Sequence, residues 1–243
     1  MYQFSRYLAG RFLYRIAHEV DFEAFKFLTP RNGIFLDVGA NDGISSLTFR
    51  IYNKKTPIVS IEPNPYHRMA LERVKRRLHG FDYICIGAGE RKDSVILHVP
   101  FYKGVALTSF ASVHKDAIKK GLLHGMRIKN IDRKVRFKQI RIEIQTLDTF
   151  GFNPDFIKID VEGYEYKALE GLRETVNHKK PTLLIEYNLD TIDSIISFLD
   201  SLEYEKFIYK PQARCFSPYH GQETVNIFFI HPSRFAEVKC PLS

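Results

Sequence analysis

Apolar and polar residues alternate along the chain in blocks whose lengths suit strands and helices in turn. From residue 34 onward, short apolar runs are followed by stretches in which apolar residues recur every three or four positions. The short runs predict buried strands and the longer stretches predict amphipathic helices. The predicted strands are 34–38, 58–62, 82–86, 155–160, 181–186, 204–209 and 226–230, and the predicted helices are 43–53, 66–79, 162–172 and 190–201. This order predicts a single α/β domain over residues 1–243, with a mostly parallel, seven-stranded sheet.

The N-terminal segment has a different pattern. Apolar residues recur at every fourth position of residues 3–20 and predict a helix, and Asp21 is expected to cap a second helix at 22–28. Residues 1–30 are therefore interpreted as a helical cap on the core. Because basic side chains lie off the apolar stripe, a second interpretation is a helix that rests on a membrane face.

Residues 90–146 interrupt the alternation of strands and helices. They contain two β-like stretches, 94–99 and 135–146, around a segment rich in lysine and arginine. We interpret this region as an inserted, β-rich basic lid rather than as a separate domain. Loops and insertions on a rigid scaffold commonly carry substrate recognition.

Composition excludes several classes of protein. Hydrophobic residues make up 44% of the chain, which predicts a globular protein, and no apolar run is long enough to predict a membrane span. The three cysteines, Cys85, Cys215 and Cys240, form no C-x-x-C pair, so neither a disulfide framework nor a zinc site is expected. Arginines interrupt the N-terminal apolar positions, which argues against a secretory signal. A reducing, cytoplasmic location fits best, with peripheral contact at the inner membrane face as an alternative.

The net charge of +8 bears on which partners the protein could bind. A basic protein suits an acidic partner such as a nucleic acid, a lipid surface or an anionic sugar. Charge alone does not name a ligand, so a basic protein without a charged partner is an equal alternative.

The segment with the strongest chemical signal is the loop of residues 37–43, which follows the first strand and opens a helix. Its glycines allow a ligand to approach the backbone closely. It also contains Asp37 and Asp42, whose carboxylates would repel a pyrophosphate and attract an amine or a sulfonium. S-adenosylmethionine carries both of these cationic groups.

A second signal is Glu62, at the end of the next strand and 25 residues after Asp37. A carboxylate at this place accepts hydrogen bonds from both hydroxyls of a ribose in dinucleotide-binding folds. The alternative is a surface glutamate before a proline-containing turn. The glycine loop at this spacing favours the ribose contact.

A third signal is the acidic segment 159–165, which again follows a predicted strand. Asp160 is positioned to hold an acceptor hydroxyl, to take its proton or to bind a metal ion. Capping of the following helix is an equal alternative for this residue.

Several segments together resemble one family, the FkbM methyltransferases. They are FLDVGANDG (35–43), IEPNP (61–65), TLD (146–148), FIKIDVEGYEYKALEGL (156–172) and PTLLIE (181–186). They occur in the family's order, and the resemblance covers residues 33–230. It implies a class I (Rossmann-like) methyltransferase fold, S-adenosylmethionine as the methyl donor, and an oxygen acceptor on a sugar or small metabolite, as in the biosynthesis of surface polysaccharides.

The resemblance also implies roles for individual residues. The residues that match the donor-binding positions are Asp37, Gly39, Asn41 and Gly43 in the loop, Glu62 at the ribose, and Asn64, Gly87 and Ala88 beside the adenine. No acid stands between Ile86 and Glu90, where many class I enzymes have one. The adenine contact is therefore expected from the backbone.

A hydroxyl acceptor must lose a proton, so a carboxylate base is expected near the transferred methyl group. The candidates are Asp160 first, then Glu162 and Glu186. No metal site is predicted, although an alternative would place Mg²⁺ between Asp160, Glu186 and Asn188, since oxygen ligands suit that ion.

Two other functions remain as alternatives to a carbohydrate O-methyltransferase. An RNA methyltransferase is favoured by the basic helix at 68–77 and by the basic insertion, although no RNA-binding module is evident and DNA binding is not expected. A non-catalytic module that keeps S-adenosylmethionine binding is the second. An NAD-dependent oxidoreductase is disfavoured by the acidic loop.

Overall fold

The computed structural model describes residues 19–242, which form two β-sheets and the helices packed on them. The strands are β1 (Ile34–Val38), β2 (Ile58–Ile61), β3 (Phe81–Ile84), β4 (Gly87–Ala88), β5 (Asp93–Tyr102), β6 (Val105–Ala106), β7 (Val135–Gln145), β8 (Pro154–Ile159), β9 (Thr182–Glu186), β10 (Glu205–Lys210), β11 (Cys215–Pro218) and β12 (Asn226–Ile230). The α-helices are α1 (Ile44–Tyr52), α2 (Arg68–Arg77), α3 (Lys115–Gly125), α4 (Ile131–Lys134), α5 (Glu165–Glu170), α6 (Arg173–Lys179) and α7 (Ile192–Asp200). Short 3-10 helices lie at Val20–Lys26, Pro65–His67, Thr108–Phe110, Leu147–Phe150 and Pro232–Glu237.

The main sheet has eight strands in the order β11-β10-β12-β9-β8-β1-β2-β3. The five strands from β9 to β3 are parallel, and β12, β10 and β11 add antiparallel pairs at one edge. The prediction of seven strands was wrong by one, because β11 is a four-residue strand that ends at a proline. Such a short run is too brief for its alternation to be recognised in the sequence. The sheet is mixed rather than mostly parallel.

Alternate side chains of the main sheet pack against helices on its two faces, as the pleat of a strand dictates. One face buries residues such as Leu36 and Ile157 against α5, α6 and α7. The other face buries Phe35 and Phe156 against α1, α2 and the 3-10 helix Val20–Lys26. The carboxyl ends of the parallel strands are left open for a ligand, where such folds bind one.

Aromatic rings fill the second face. Phe25 lies at the centre, with its ring centroid 5.0 to 5.8 Å from the rings of Phe35, Phe49, Phe156 and Phe228. The 3-10 helix that carries Phe25 is therefore part of the core. Asp21 does not cap this helix as predicted; it accepts a hydrogen bond from Asn226 instead.

The N-terminal helix predicted at residues 3–20 lies almost wholly outside the described residues, and Val20 begins the 3-10 helix. Within residues 19–242, no helix is both long enough and apolar enough to cross a bilayer.

The predicted insertion at 90–146 contains most of the second sheet, whose order is β4-β7-β5-β6. Strands β5 and β7 pair over ten consecutive residues without a bulge. One face of this sheet packs against α3 and α4 through residues such as Ile118, Leu122 and Val135. The third predicted strand, 82–86, ends at Ile84, because the chain then crosses to pair with β7 as β4. A lid function for this segment stays a prediction.

The helix predicted at 162–172 is shorter at both ends. Glu162 and Gly163 have φ angles of +54° and +94°, which a right-handed helix does not allow, so α5 begins at Glu165. It ends at Glu170, and α6 follows after Leu172. The segment before α5 is therefore a loop at the carboxyl end of β8.

Candidate active site

A cleft lies between the carboxyl ends of the parallel strands and the free face of the second sheet. Its volume is about 850 Å³, including its open mouth. Eight of the eleven predicted site residues line it, namely Gly39, Asn41, Glu62, Asn64, Gly87, Ala88, Asp160 and Glu162. The structure thus brings together residues from β1, β2, β4 and β8 that are far apart in the sequence.

Three of the predicted residues do not line the cleft. Asp37 is fully buried behind the glycine loop and accepts hydrogen bonds from Ser45 and Ser46 of α1, each at 2.6 Å. Gly43 caps α1 in a left-handed conformation and packs toward α2. Glu186 is half-buried at the end of β9 and contacts Asp160.

The glycine at position 39 is required by the close approach of two loops. Its φ angle is +86°, and a Cβ atom there would lie 1.7 Å from the backbone oxygen of Asp160. Any side chain would push the loop after β1 away from the loop after β8. Gly39 therefore brings the two halves of the cleft into contact.

Glu62 is held at the end of β2 by two backbone amides. Its Oε2 accepts a hydrogen bond from Asn41 N and its Oε1 accepts one from Asn64 N, both at 2.8 Å. Burial raises the pKa of Glu62 to about 7, and these two hydrogen bonds oppose the shift. The carboxylate is fixed in the place where the sequence predicted a ribose contact.

Two polar atoms of residues that line the cleft have no hydrogen-bond partner within the described chain. They are Asn41 Oδ1 and Asn64 Nδ2, and both are buried. A buried polar group without a partner costs free energy, so such groups mark places where a ligand completes the hydrogen bonding. An acceptor and a donor beside Glu62 suit the polar edges of a nucleoside that carries an amine. The residues present therefore fit S-adenosylmethionine.

A buried lysine was missed in the sequence. Lys158 is one of the largest fully buried side chains, and its Nζ donates to Asp160 Oδ2 at 2.7 Å. It pairs in register with Asp37 on β1. Burial opposes its charge, but the negative charges of Asp160 and Asp37 outweigh burial and raise the pKa of Lys158. The only sequence signal was its place inside an apolar strand.

Two acids near Asp160 hold protons more tightly than ordinary glutamates. Burial in the cleft, then the charges of Asp160 and Glu165, raise the pKa of Glu162 to about 7. More than a third of Glu162 is nonetheless exposed, so solvent partly screens these charges. Burial and the charges of Asp160 and Glu162 also raise the pKa of Glu186, which shares a hydrogen bond with Asp160. Glu186 is thus held against Asp160 with its proton bound more tightly than in an ordinary glutamate.

Glu165 fixes the loop that carries Asp160 and Glu162, a role that was not predicted from the sequence. It is fully buried at the start of α5, and its Oε1 accepts hydrogen bonds from Val161 N and Gly163 N at 3.2 and 2.8 Å. Its Oε2 accepts one from Thr191 Oγ1 at 3.1 Å. These bonds hold the strained backbone at Glu162 in place.

The second sheet forms the wall of the cleft opposite the strand ends. Val95, Leu97, Ile142 and Ile144 present an apolar surface to the cleft from β5 and β7. Thr108, Ser109 and Ser112 add hydroxyl groups from the segment after β6. Sequence reasoning placed substrate recognition in this insertion but identified none of these residues.

The magnesium alternative gains no support from the arrangement of side chains. Asp160 Oδ2 is already bound by Lys158 Nζ. Among residues 19–242, no three histidine, cysteine or carboxylate side chains lie close enough to hold a metal ion together.

The mixed sheet with helices on both faces, and an acid-lined cleft at the ends of its parallel strands, define the chain as a Rossmann-like α/β domain. The sequence profile of the FkbM methyltransferase domain matches residues 37–206, more than half of the chain. The chain therefore belongs to the FkbM methyltransferase family. This confirms the resemblance stated from the sequence and the cofactor S-adenosylmethionine.

One solved structure supports the fold. The crystal structure of methyltransferase FkbM from Methylobacillus flagellatus KT matches with a TM-score of 0.52 and 20% identity, covering 84% of this chain and 47% of that one. The chain thus spans about half the length of that protein. An S-adenosylmethionine-dependent O-methyltransferase from Thermotoga maritima matches less well, with a TM-score of 0.43, 11% identity, and coverage of 87% and 64%. A comparison with curated protein sequences gives no match.

Proposed function

We propose that this chain is an S-adenosylmethionine-dependent O-methyltransferase that acts on a hydroxyl of a carbohydrate or a similar small metabolite. The observation that carries the proposal is the pairing of two acidic sites in one cleft. Glu62 lies on the donor side, and Asp160 and Glu162 lie on the loop after β8. One site suits a ribose, and the other suits the removal of a proton from an acceptor.

On the donor side, Glu62 binds the ribose hydroxyls, and Asn41 and Asn64 complete the polar contacts. Asp37 attracts the cationic end of the donor from behind the loop. When bound, S-adenosylmethionine supplies a methyl group already activated by its positive sulfur. The protein's own contribution is to position the acceptor and to take its proton.

On the acceptor side, Glu162 is the favoured base among the three candidates. It lines the cleft, and its pKa of about 7 suits proton transfer near neutral pH. Asp160 forms the ion pair with Lys158 and directs the acceptor hydroxyl. Glu186 lies outside the lining and shares a hydrogen bond with Asp160, so it serves to position Asp160.

The choice of a hydroxylated acceptor follows from the opposite wall of the cleft. Thr108, Ser109 and Ser112 supply donors and acceptors of hydrogen bonds there, beside the apolar side chains of β5 and β7. A sugar presents both hydroxyl groups and apolar C–H faces, so this mixed wall suits it. A role in polysaccharide biosynthesis and a cytoplasmic location complete the proposal.

The proposal is tested with labelled methyl donor. Purified protein is incubated with S-adenosylmethionine carrying an isotopic methyl group and with glycans from the source cells, and the products are separated by mass spectrometry. We expect label in the glycan fraction and formation of S-adenosylhomocysteine. Glu162→Gln should bind the donor in calorimetry and lose most of its turnover. Label in RNA alone would replace this proposal with the RNA alternative, and donor binding without any transfer would favour a non-catalytic module.

A further inference from the structure

A second groove lies outside the active-site cleft, between α1 and α2. Its volume is about 1060 Å³, including its open side. Asp42 lines this groove, whereas its neighbour Asn41 lines the active-site cleft. The groove therefore begins where the loop of residues 37–43 ends, on the face of the main sheet that carries the aromatic core.

The floor of the groove is apolar. Ile44, Leu47 and Ile51 line it from α1, and Ala70 and Val74 line it from α2. These residues are three or four positions apart, which places them in one row along each helix. Leu47 and Ile51 remain half-buried, so this apolar row is not covered completely by the described chain.

The rim of the groove is basic. Arg50 and Lys54 lie one turn apart on α1 and just beyond it, and Arg73 and Arg77 lie one turn apart on α2. Within the part of the chain that the structure describes, Arg50 donates to the backbone carbonyls of Asn53 and His79, at 3.4 and 3.3 Å. Its buried Nε has no hydrogen-bond partner within the described chain, and partial burial lowers the pKa of Arg50. Asp42 is the single acid among the lining residues.

We propose that this groove binds an acidic phospholipid, with an acyl chain on the apolar floor and the phosphate against Arg50, Lys54 and Arg73. The face that carries α1 and α2 then rests on an anionic membrane, independently of any methyl transfer. An apolar row between two basic rims matches the two halves of such a lipid in both charge and polarity.

Other anions match the groove less well. Single-stranded RNA is bound through aromatic rings interleaved with basic residues, and none of the lining residues is aromatic. A free phosphate or sugar phosphate would use the cations and leave the apolar floor without a role. Phosphate is the shared chemistry of all three ligands, and the experiment separates them.

The test uses the full chain and vesicles of two compositions, pure phosphatidylcholine and phosphatidylcholine mixed with phosphatidylglycerol. We expect sedimentation with the anionic vesicles only. The triple variant Arg50→Gln, Lys54→Gln and Arg73→Gln should bind them on the order of a hundredfold more weakly, because each cation near an anionic surface contributes about fivefold. Residues 3–20 are unchanged in every variant, so any membrane contact of their own contributes equally to the vesicle binding of each protein compared.

The matched control removes the same charge elsewhere. Lys129, Lys179 and Lys239 are exposed and lie outside the groove, and their change to glutamine should alter vesicle binding by less than the groove variant does. A further variant, Leu47→Gln, should reduce the binding that persists at high salt, because it makes the floor polar. Donor affinity measured by calorimetry should be unchanged in the groove variants, which shows that they fold.

Three outcomes would overturn the proposal. The triple variant and its control could bind anionic vesicles equally well, in which case net charge alone acts. Soluble glycerol phosphate could displace the protein from vesicles as effectively as added lipid vesicles do, which would identify a free phosphate site. The triple variant could lose RNA binding in a gel shift while keeping vesicle binding, which would identify an RNA surface.

Discussion

Lys158 Nζ lies 2.7 Å from Asp160 Oδ2, at the carboxyl end of β8 beside the cleft. The lysine side chain is 3% exposed and the aspartate side chain is 27% exposed. The cation is thus buried behind the cleft while its partner reaches into it. Asp37, on β1, lies beside Lys158, so one buried cation offsets the charges of two carboxylates under the loop of residues 37–43.

Replacing Lys158 with methionine should destabilise the protein by about 3 kcal/mol, because removing one partner of a buried ion pair leaves the other charge without compensation. Urea unfolding at neutral pH measures the loss. Lys206→Met is the matched control: Lys206 also lies 2.7 Å from an aspartate, Asp200, but that pair is exposed. The control should cost less than about 1 kcal/mol, and equal losses would contradict a special role for Lys158.

The parts of the site that the sequence revealed are those at the ends of parallel strands. An apolar run followed by an acid or a glycine is a local pattern, and parallel pairing then brings Asp37, Glu62 and Asp160 to one edge of the sheet. Lys158 was not recognised, because a single lysine within an apolar run gives no sign of a buried partner. The reason for its burial is its register with Asp37, which only the pairing of β1 with β8 creates.

The second sheet was likewise only partly predictable from the sequence. The sequence indicated an insertion with β-like pieces at 94–99 and 135–146, and the strands β5 and β7 are there. Its residues 87–88 were interpreted as a cofactor contact only, and their pairing with β7 was missed. One glycine followed by one alanine carries no strand pattern. Their pairing depends on the position of β7 in three dimensions.

Gly39→Ala should abolish donor binding. The added Cβ atom would lie 1.7 Å from the backbone oxygen of Asp160, so the two cleft loops must separate. Gly104→Ala is the control, because Gly104 also has a positive φ angle, +81°, but has open space around it. That variant should lose only about 1–2 kcal/mol of stability from the backbone strain and should keep its donor affinity. Calorimetric titration with S-adenosylhomocysteine distinguishes the two, and measurable affinity in Gly39→Ala would remove the steric argument.

Glu62 should make the donor-free protein less stable as the pH rises from about 4.5 to about 7. Its pKa is raised from 4.5 to about 7 in the fold, so the native state binds the proton more tightly than the unfolded chain does over that range. The difference corresponds to about 3 kcal/mol at most.

Glu62→Gln should therefore reduce the pH dependence of the unfolding free energy, to which Glu162 and Glu186 still contribute, and should also weaken donor binding. Glu205→Gln, at an exposed glutamate of β10, should change neither quantity. Chemical denaturation across this pH range, with and without donor, gives both measurements. A variant at position 62 that keeps the original slope would show that the carboxyl group is ionised throughout.

The pH dependence of turnover can identify the base once an acceptor substrate has been found. If Glu162 takes the proton, the turnover of the wild-type protein should rise as the pH passes about 7, since only the ionised carboxylate accepts a proton. Glu162→Gln should lower turnover by about 10²–10⁴-fold, the range for loss of a general base, and leave donor affinity unchanged.

Asp160→Asn separates the two candidates on the same loop. As a group that directs the acceptor, Asp160 should raise the KM for the acceptor when replaced, and the residual turnover should keep its rise near pH 7 because Glu162 is still present. If that rise disappears in Asp160→Asn and persists in Glu162→Gln, the roles are reversed, and Asp160 is the base that the strand-end pattern first suggested. The exchange would also explain the ion pair differently, since Lys158 would then stabilise the ionised base directly.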